Sequence, residues 1–358
     1  MKNLLRNYRT KHGVLIADGA TGTNYFSKGL ETGDPPELWN LVKPDNVIDL
    51  HKEFIKAGAN IILTNTFGAN SSRLKIHNCE EKVKSINIKA ATLAKKAINL
   101  NSVNHNENLI GGSVGPTGEL FQSIGGNLSF DEAVRIFFEQ AINLKEGGVD
   151  FLWIETLSSL EEVDAAMHAS EKAELGAVVT MSFDTSKRTM MGVTPEEFLK
   201  FIGKRKIKPI GIGANCGVGP PELLLSMKEM KEHLEEDILL VAKGNCGIPE
   251  YKDGEIHYKG TEEIMAKYAG LCKELGVDIV GGCCGTTPSH IKAIKKIVTS
   301  KTFDYQSNDT LGKSSIHEEV SVERISNEVG VPWESSFSND FTPKSQLRRT
   351  SRRRVRRI

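Results

Sequence analysis

Apolar residues fall into eight short, nearly continuous runs, at 14–18, 60–67, 109–115, 150–156, 177–184, 210–216, 238–245 and 278–284. Runs this continuous do not alternate as half-exposed strands do, and they predict parallel strands buried on both faces. Between them the apolar period changes to three or four. At 45–56, Val47, Ile48, Leu50, Phe54 and Ile55 stand among charges, and 130–144 and 220–234 behave alike. Helix starts are marked by Ser129-Phe-Asp-Glu, Thr194-Pro-Glu-Glu, Gly219-Pro-Pro-Glu and Thr287-Pro-Ser-His, each a cap or proline before a first turn. Glycine recurs just before strands, at Gly58, Gly147, Gly148 and Gly276, where it suits a helix stop. Eight strand–helix units predict a (β/α)8 barrel, which typically takes ~250 residues. A doubly wound open sheet is the competitor. The barrel is preferred because the reactive residues sit at strand C-terminal ends along the whole chain, and only closure brings those ends to one mouth.

Composition narrows this picture. The chain has 358 residues, with 46 Lys and Arg against 46 Asp and Glu, so no global field draws nucleic acid or membrane. No long uncharged apolar run is present, and the N-terminus lacks the apolar core of a secretory signal. Six cysteines in a chain this long do not form a disulfide scaffold. They point to a reducing compartment, with the cytoplasm expected, and to a metal. The barrel domain is expected at 1–299. Residues 300–358, rich in Asp, Ser, Asn and Glu, are expected as an extended or disordered arm with an apolar island at 329–333 and an Arg-rich terminus from Arg348 to Arg357. That terminus reads as a solvated tail. Contact with RNA or an acidic partner is the alternative, although no aromatic residue there offers a base-stacking platform.

The chemistry concentrates in cysteines. Gly213-Ala-Asn-Cys216 and Gly281-Gly-Cys-Cys284-Gly each end a strand in thiols, and Cys216, Cys283 and Cys284 can close three corners of a zinc tetrahedron. A fourth corner left to substrate marks a catalytic zinc. Glycines 281, 282 and 285 are expected to free the backbone so that adjacent cysteines reach one ion. Cys79, Cys246 and Cys272 read as plain buried thiols. An incoming thiol would bind such a zinc as an electron-rich thiolate, suited to alkyl transfer. At the ends of the first and fourth strands, Asp18 and Glu155 offer carboxylates that fit the ammonium of an amino acid. Thr64 and Ser113 offer hydroxyls at the second and third.

These residues resemble the homocysteine S-methyltransferase family, through Asp18-Gly-Ala-Thr-Gly-Thr23, Thr64-Asn-Thr-Phe67, Gly115-Pro-Thr-Gly118, Gly213-Ala-Asn-Cys216 and Gly281-Gly-Cys-Cys-Gly-Thr-Thr-Pro288, over about residues 12–298. Among its branches, bacterial betaine–homocysteine enzymes match best. The resemblance implies zinc on the three cysteines, homocysteine held by Asp18 and Glu155, and a methyl donor. Residues 300–358 are too few for folate, cobalamin and reactivation modules. The expected donor is therefore a small onium compound, glycine betaine first. S-methylmethionine, dimethylsulfoniopropionate and a separate methyl-corrinoid protein remain alternatives. By motif position Trp39 would face the donor cation. Tyrosines of animal betaine enzymes are replaced by Gly68 and Thr156. No catalytic group beyond the zinc-bound thiolate is expected. A homo-oligomer is compatible with the sequence. A degenerate barrel binding nucleic acid or a partner through its tail is the reading of another class, and the intact cysteine set counts against it.

Overall fold

The computed structural model describes residues 2–101, 108–252, 255–300 and 320–332. Eight parallel strands form a nearly closed barrel: β1 Leu15–Ile16, β2 Ile61–Leu63, β3 Leu109–Val114, β4 Phe151–Leu157, β5 Ala177–Met181, β6 Gly211–Cys216, β7 Leu239–Gly244 and β8 Ile279–Gly282. Neighbours pair in chain order, and β8 pairs with β1. The seam between β1 and β2 is joined by Asn60 N–H to Ile16 O at 2.7 Å and Asp18 N–H to Ile61 O at 3.0 Å. The expected barrel is therefore the observed fold.

Around it run α1 Pro44–Ala57, α2 Val83–Leu100, α3 Phe130–Gly147, α4 Leu160–Lys172, α5 Pro195–Lys204, α6 Pro220–His233, α7 Glu262–Glu274 and α8 Pro288–Val298. Their starts follow the sequence signals. Ser129 accepts from Glu132 N–H, Thr194 and Glu197 form a capping box, and α5, α6 and α8 begin on proline. A hairpin, Glu250–Lys252 with Glu255–His257, lies between β7 and α7. No described helix is long and apolar enough to cross a membrane.

Strand alternation divides the apolar residues into two cores. Ile16, Ile62, Ile110, Leu152, Val179 and Ile212 face outward beneath the helices. Leu15, Ile61, Leu109, Phe151, Trp153, Val178, Leu239 and Val241 fill the barrel, each contributing about 1.5–3 kcal/mol on full burial. The N-terminal helix, Lys2–His12, closes the lower end: Leu5 joins the interior cluster and Arg9 Nε bonds Asp278 at 2.9 Å. Following the same inward parity upward, the filling turns polar. Leu109 leads to Ser113, Phe151 and Trp153 to Glu155, Val178 to Thr180, Val241 to Lys243, and Ile279 to Cys283. This upper layer floors the mouth.

Within the stretch expected as an arm, residues 322–329 form a helix, Val322–Val329. Ile325 and Val329, one turn apart, are buried, and Arg324 forks onto Glu274 at 2.6 and 2.8 Å. The Arg-rich terminus and Trp333 lie outside the described residues.

Candidate active site

Cys216 ends β6, and Cys283 and Cys284 follow β8; their sulfurs lie within 4.8 Å of one another. The bend that aims Cys216 inward is left-handed, at φ 62°. Few non-glycine residues adopt that conformation, and it concentrates at functional sites. Of the glycines expected to loosen the second turn, only Gly285 is left-handed, at φ 79°. Gly282 is required by crowding instead, since a Cβ there would meet Thr286 Oγ1 at 2.3 Å.

Two asparagines hold the sulfurs in place. Asn245 donates to Gly217 O at 2.7 Å and to Cys216 Sγ at 3.5 Å, while its Oδ1 accepts from Cys284 N–H at 2.9 Å. Asn215 donates to Thr156 Oγ1 at 2.7 Å and to Cys283 Sγ at 3.7 Å. Its Oδ1 accepts from Thr156 N–H at 2.9 Å and Thr180 Oγ1 at 2.6 Å. Those bonds pin Thr156 at φ 64°, a strained conformation for a β-branched residue. Hydrogen bonds from Cys283 and Cys284 pull the Cys216 thiol down, and the same hydrogen bonds to Cys216 hold the other two thiols up. Three cysteine sulfurs within 4.8 Å of one another are a donor set that suits zinc.

A cavity of about 300 Å³ opens onto the sulfurs, lined also by the Gly19–Thr23 turn, Phe26, Glu37, Thr64, Phe67, Ser113, Glu155 and Lys243. Glu155 is buried, and its Oε1 accepts from Ser113 Oγ at 2.6 Å. Burial raises its pKa, with Lys243 acting against the rise. Thr64 lines the cavity but serves Ser113: it accepts from Ser113 N–H at 3.0 Å, and its hydroxyl pairs with Thr66, which donates to Ser113 O at 2.7 Å. Asp18 is tied on both sides. Its Oδ2 accepts from Leu63 N–H at 2.8 Å and its Oδ1 pairs with Lys243 Nζ at 3.3 Å. Burial pushes the Asp18 carboxyl up to about 6, against the pull of Lys243.

The structure thus brings Thr64, Ser113, Glu155 and the three cysteines to one cavity, whereas Asp18 does not line it and pairs instead with the lining Lys243. It does not bring Trp39 there. That indole is 4% exposed, lies 4.7 Å from the Tyr25 ring, and carries Lys43 Nζ 4.4 Å from its centroid. The cavity's aromatic faces belong to Phe26 and Phe67. Sequence reasoning missed Asn215, Asn245 and Lys243. Their signal was inward parity: Asn215 follows Gly211 and Gly213, and Lys243 follows Leu239 and Val241. Cys79, Cys246 and Cys272 are buried as plain thiols, and burial pushes Cys246 up to about 12.

Fold and site together define a (β/α)8 protein with a thiol cluster at the C-terminal mouth. Residues 15–298 match the homocysteine S-methyltransferase family, and the chain belongs to it. It is 26% identical over 301 residues to methionine synthase of Mycobacterium leprae and 26% identical over 308 residues to that of Mycobacterium tuberculosis. Each alignment covers 80% of this chain but only 24% and 25% of those proteins, so the chain spans about a quarter of their length. Among solved structures, the metallated form of the Escherichia coli homocysteine methyltransferase MmuM shares the fold. It has a TM-score of 0.68 at 22% identity, covering 82% of this chain and 99% of that one.

Proposed function

We propose that this chain methylates the sulfur of homocysteine, using zinc on Cys216, Cys283 and Cys284 and a small onium donor, glycine betaine first. The observation that carries the reading is the set of three sulfurs within 4.8 Å at the end of a cavity that a buried carboxylate, Glu155, also lines. Cys216, Cys283 and Cys284 would hold the zinc, which would lower the pKa of a fourth, incoming thiol and leave it nucleophilic near neutral pH. The chain's own residues supply the rest. Glu155 accepts the substrate ammonium, and Ser113, fixed by Thr64 and Thr66, aims that carboxylate. Asn215 and Asn245 hold the cysteine sulfurs in register.

The substrate thiol releases its proton on binding. Its sulfur then forms a bond to the donor methyl carbon as the carbon–nitrogen or carbon–sulfur bond breaks, and that pair leaves on a neutral amine or sulfide. No general base is needed at carbon. Holding both partners in line supplies much of the rate. Because Trp39 is covered by Tyr25 and Lys43, the donor cation is assigned to the Phe26 and Phe67 rings at the cavity wall.

The test is a donor panel with zinc-loaded protein and homocysteine: glycine betaine, dimethylsulfoniopropionate, S-methylmethionine and methylcobalamin. Methionine is expected from glycine betaine or dimethylsulfoniopropionate. Product only from the other two would overturn the donor, and none from any donor would overturn the reaction.

A further inference from the structure

Lys243 is the one cationic residue among the described residues that line the mouth, and the reaction above leaves it without a task. It sits on β7 at 2% exposure, in line with the inward-facing Leu239 and Val241. An ammonium carries three donor protons, and leaving them unmet in a buried place is expensive. Among the described residues only Asp18 accepts from it, at 3.3 Å, longer than the 2.7–2.9 Å usual for such charged bonds. The Trp153 ring, 5.4 Å away, adds a soft contact and no acceptor. Lys243 and Glu155 lie within each other's field yet form no direct ion pair. Glu155 in turn has one oxygen on Ser113, and its Oε2 has no hydrogen-bond partner among the described residues. Both groups line the same cavity as the three sulfurs. A positive and a negative group therefore face one cavity without touching, each with bonding capacity left over.

We propose that Lys243 anchors the α-carboxylate of the amino-acid substrate, so that Lys243 and Glu155 together read its zwitterion. This rests on the reading that a thiol amino acid binds at the cysteine mouth. The charges then alternate from Asp18 through Lys243, substrate carboxylate and substrate ammonium to Glu155. Every charge is flanked by its opposite. Asp18 becomes a positioning residue: Leu63 N–H fixes one carboxylate oxygen, and the other aims the lysine. The arrangement selects amino acids over simple thiols and over thiol amines.

The test is calorimetric binding to zinc-loaded full-length protein of three ligands: homocysteine, 3-aminopropane-1-thiol, which lacks the carboxylate, and 4-sulfanylbutanoate, which lacks the ammonium. Lys243→Met should weaken homocysteine roughly ten- to a hundred-fold and leave 3-aminopropane-1-thiol within about two-fold of wild type. Glu155→Gln should weaken homocysteine and 3-aminopropane-1-thiol, and spare 4-sulfanylbutanoate. Asp18→Asn should change the homocysteine-to-aminothiol ratio in the same direction as Lys243→Met, by less. If Lys243→Met leaves Asp18 too exposed to charge imbalance to fold, the neutral pair Asp18→Asn/Lys243→Met carries the same comparison. Equal losses for homocysteine and 3-aminopropane-1-thiol in either lysine variant would overturn the proposal and make Lys243 a structural partner of Asp18. Failure of wild-type protein to bind homocysteine at all would instead overturn the underlying reading.

Discussion

The two ends of the barrel handle buried polar groups in opposite ways. At the lower end, Asn60, Asp150 and Asp278 each stand just before a strand. Each accepts a backbone N–H from the neighbouring strand: Ile16 at 2.9 Å, Ile110 at 2.7 Å and Leu240 at 2.9 Å. Asp278 also takes Arg9 from the closing helix. At the mouth Asp18 repeats the device on Leu63 N–H, but Lys243 and Glu155 keep bonding capacity facing the cavity, and Thr156 and Cys216 hold left-handed backbone. Native proteins rarely leave buried polar groups unpaired. The lower end closes its polar groups on the backbone, and the mouth leaves polar capacity facing the cavity.

Four substitutions or conditions sharpen that contrast. The largest effect is expected from Cys216→Ala, which should abolish methyl transfer and bound zinc, measured by metal analysis. Its melting temperature should fall less than that of a lower-end variant, because only the sulfur and its weak contact with Asn245 are lost.

Next comes acid stability, which belongs to the shell and should leave substrate binding untouched. His51 on α1 is fully buried, and burial lowers its pKa to about 4. The unfolded chain takes up that proton near pH 6.5 while the fold resists it. Stability is therefore intact above pH 6.5 and falls as pH drops toward 4, by about 3 kcal/mol for a shift of this size. Denaturant titrations of wild type and His51→Leu should diverge in that window.

Glu155→Gln keeps shape and loses charge. The homocysteine KM should rise by roughly ten- to a hundred-fold, equivalent to ~1.5–3 kcal/mol, with little change in melting temperature. Asp278→Ala should do the reverse. Losing the Leu240 and Arg9 partners should cost ~1–3 kcal/mol of stability while the KM stays put. A raised KM in Asp278→Ala, or a lowered melting temperature with normal KM in Glu155→Gln, would erase the distinction between the two ends.

Much of this was legible in the chain. Apolar runs located all eight strands, and prolines and caps located the starts of α3, α5, α6 and α8, because those signals act within a few residues. The thiol cluster was legible because cysteines at two strand ends have little other use in such a pattern. Lys243 was not. A lone lysine inside the run 238–245 looks like the exposed end of a strand until inward parity is counted from the packed interior. Trp39 failed for the converse reason. Its motif position matched a donor contact, but only tertiary packing reveals that Tyr25 and Lys43 already cover it. The helix Val322–Val329 was hidden because its apolar stripe is two residues wide and makes sense only against α7.

The most direct test of a thiol-binding mouth is zinc-edge X-ray absorption of the loaded protein with and without homocysteine. Three sulfur neighbours from Cys216, Cys283 and Cys284 are expected in the free protein, and four once homocysteine is added. A sulfur count that homocysteine does not change would contradict the assignment of this mouth as the site where the substrate thiol is activated.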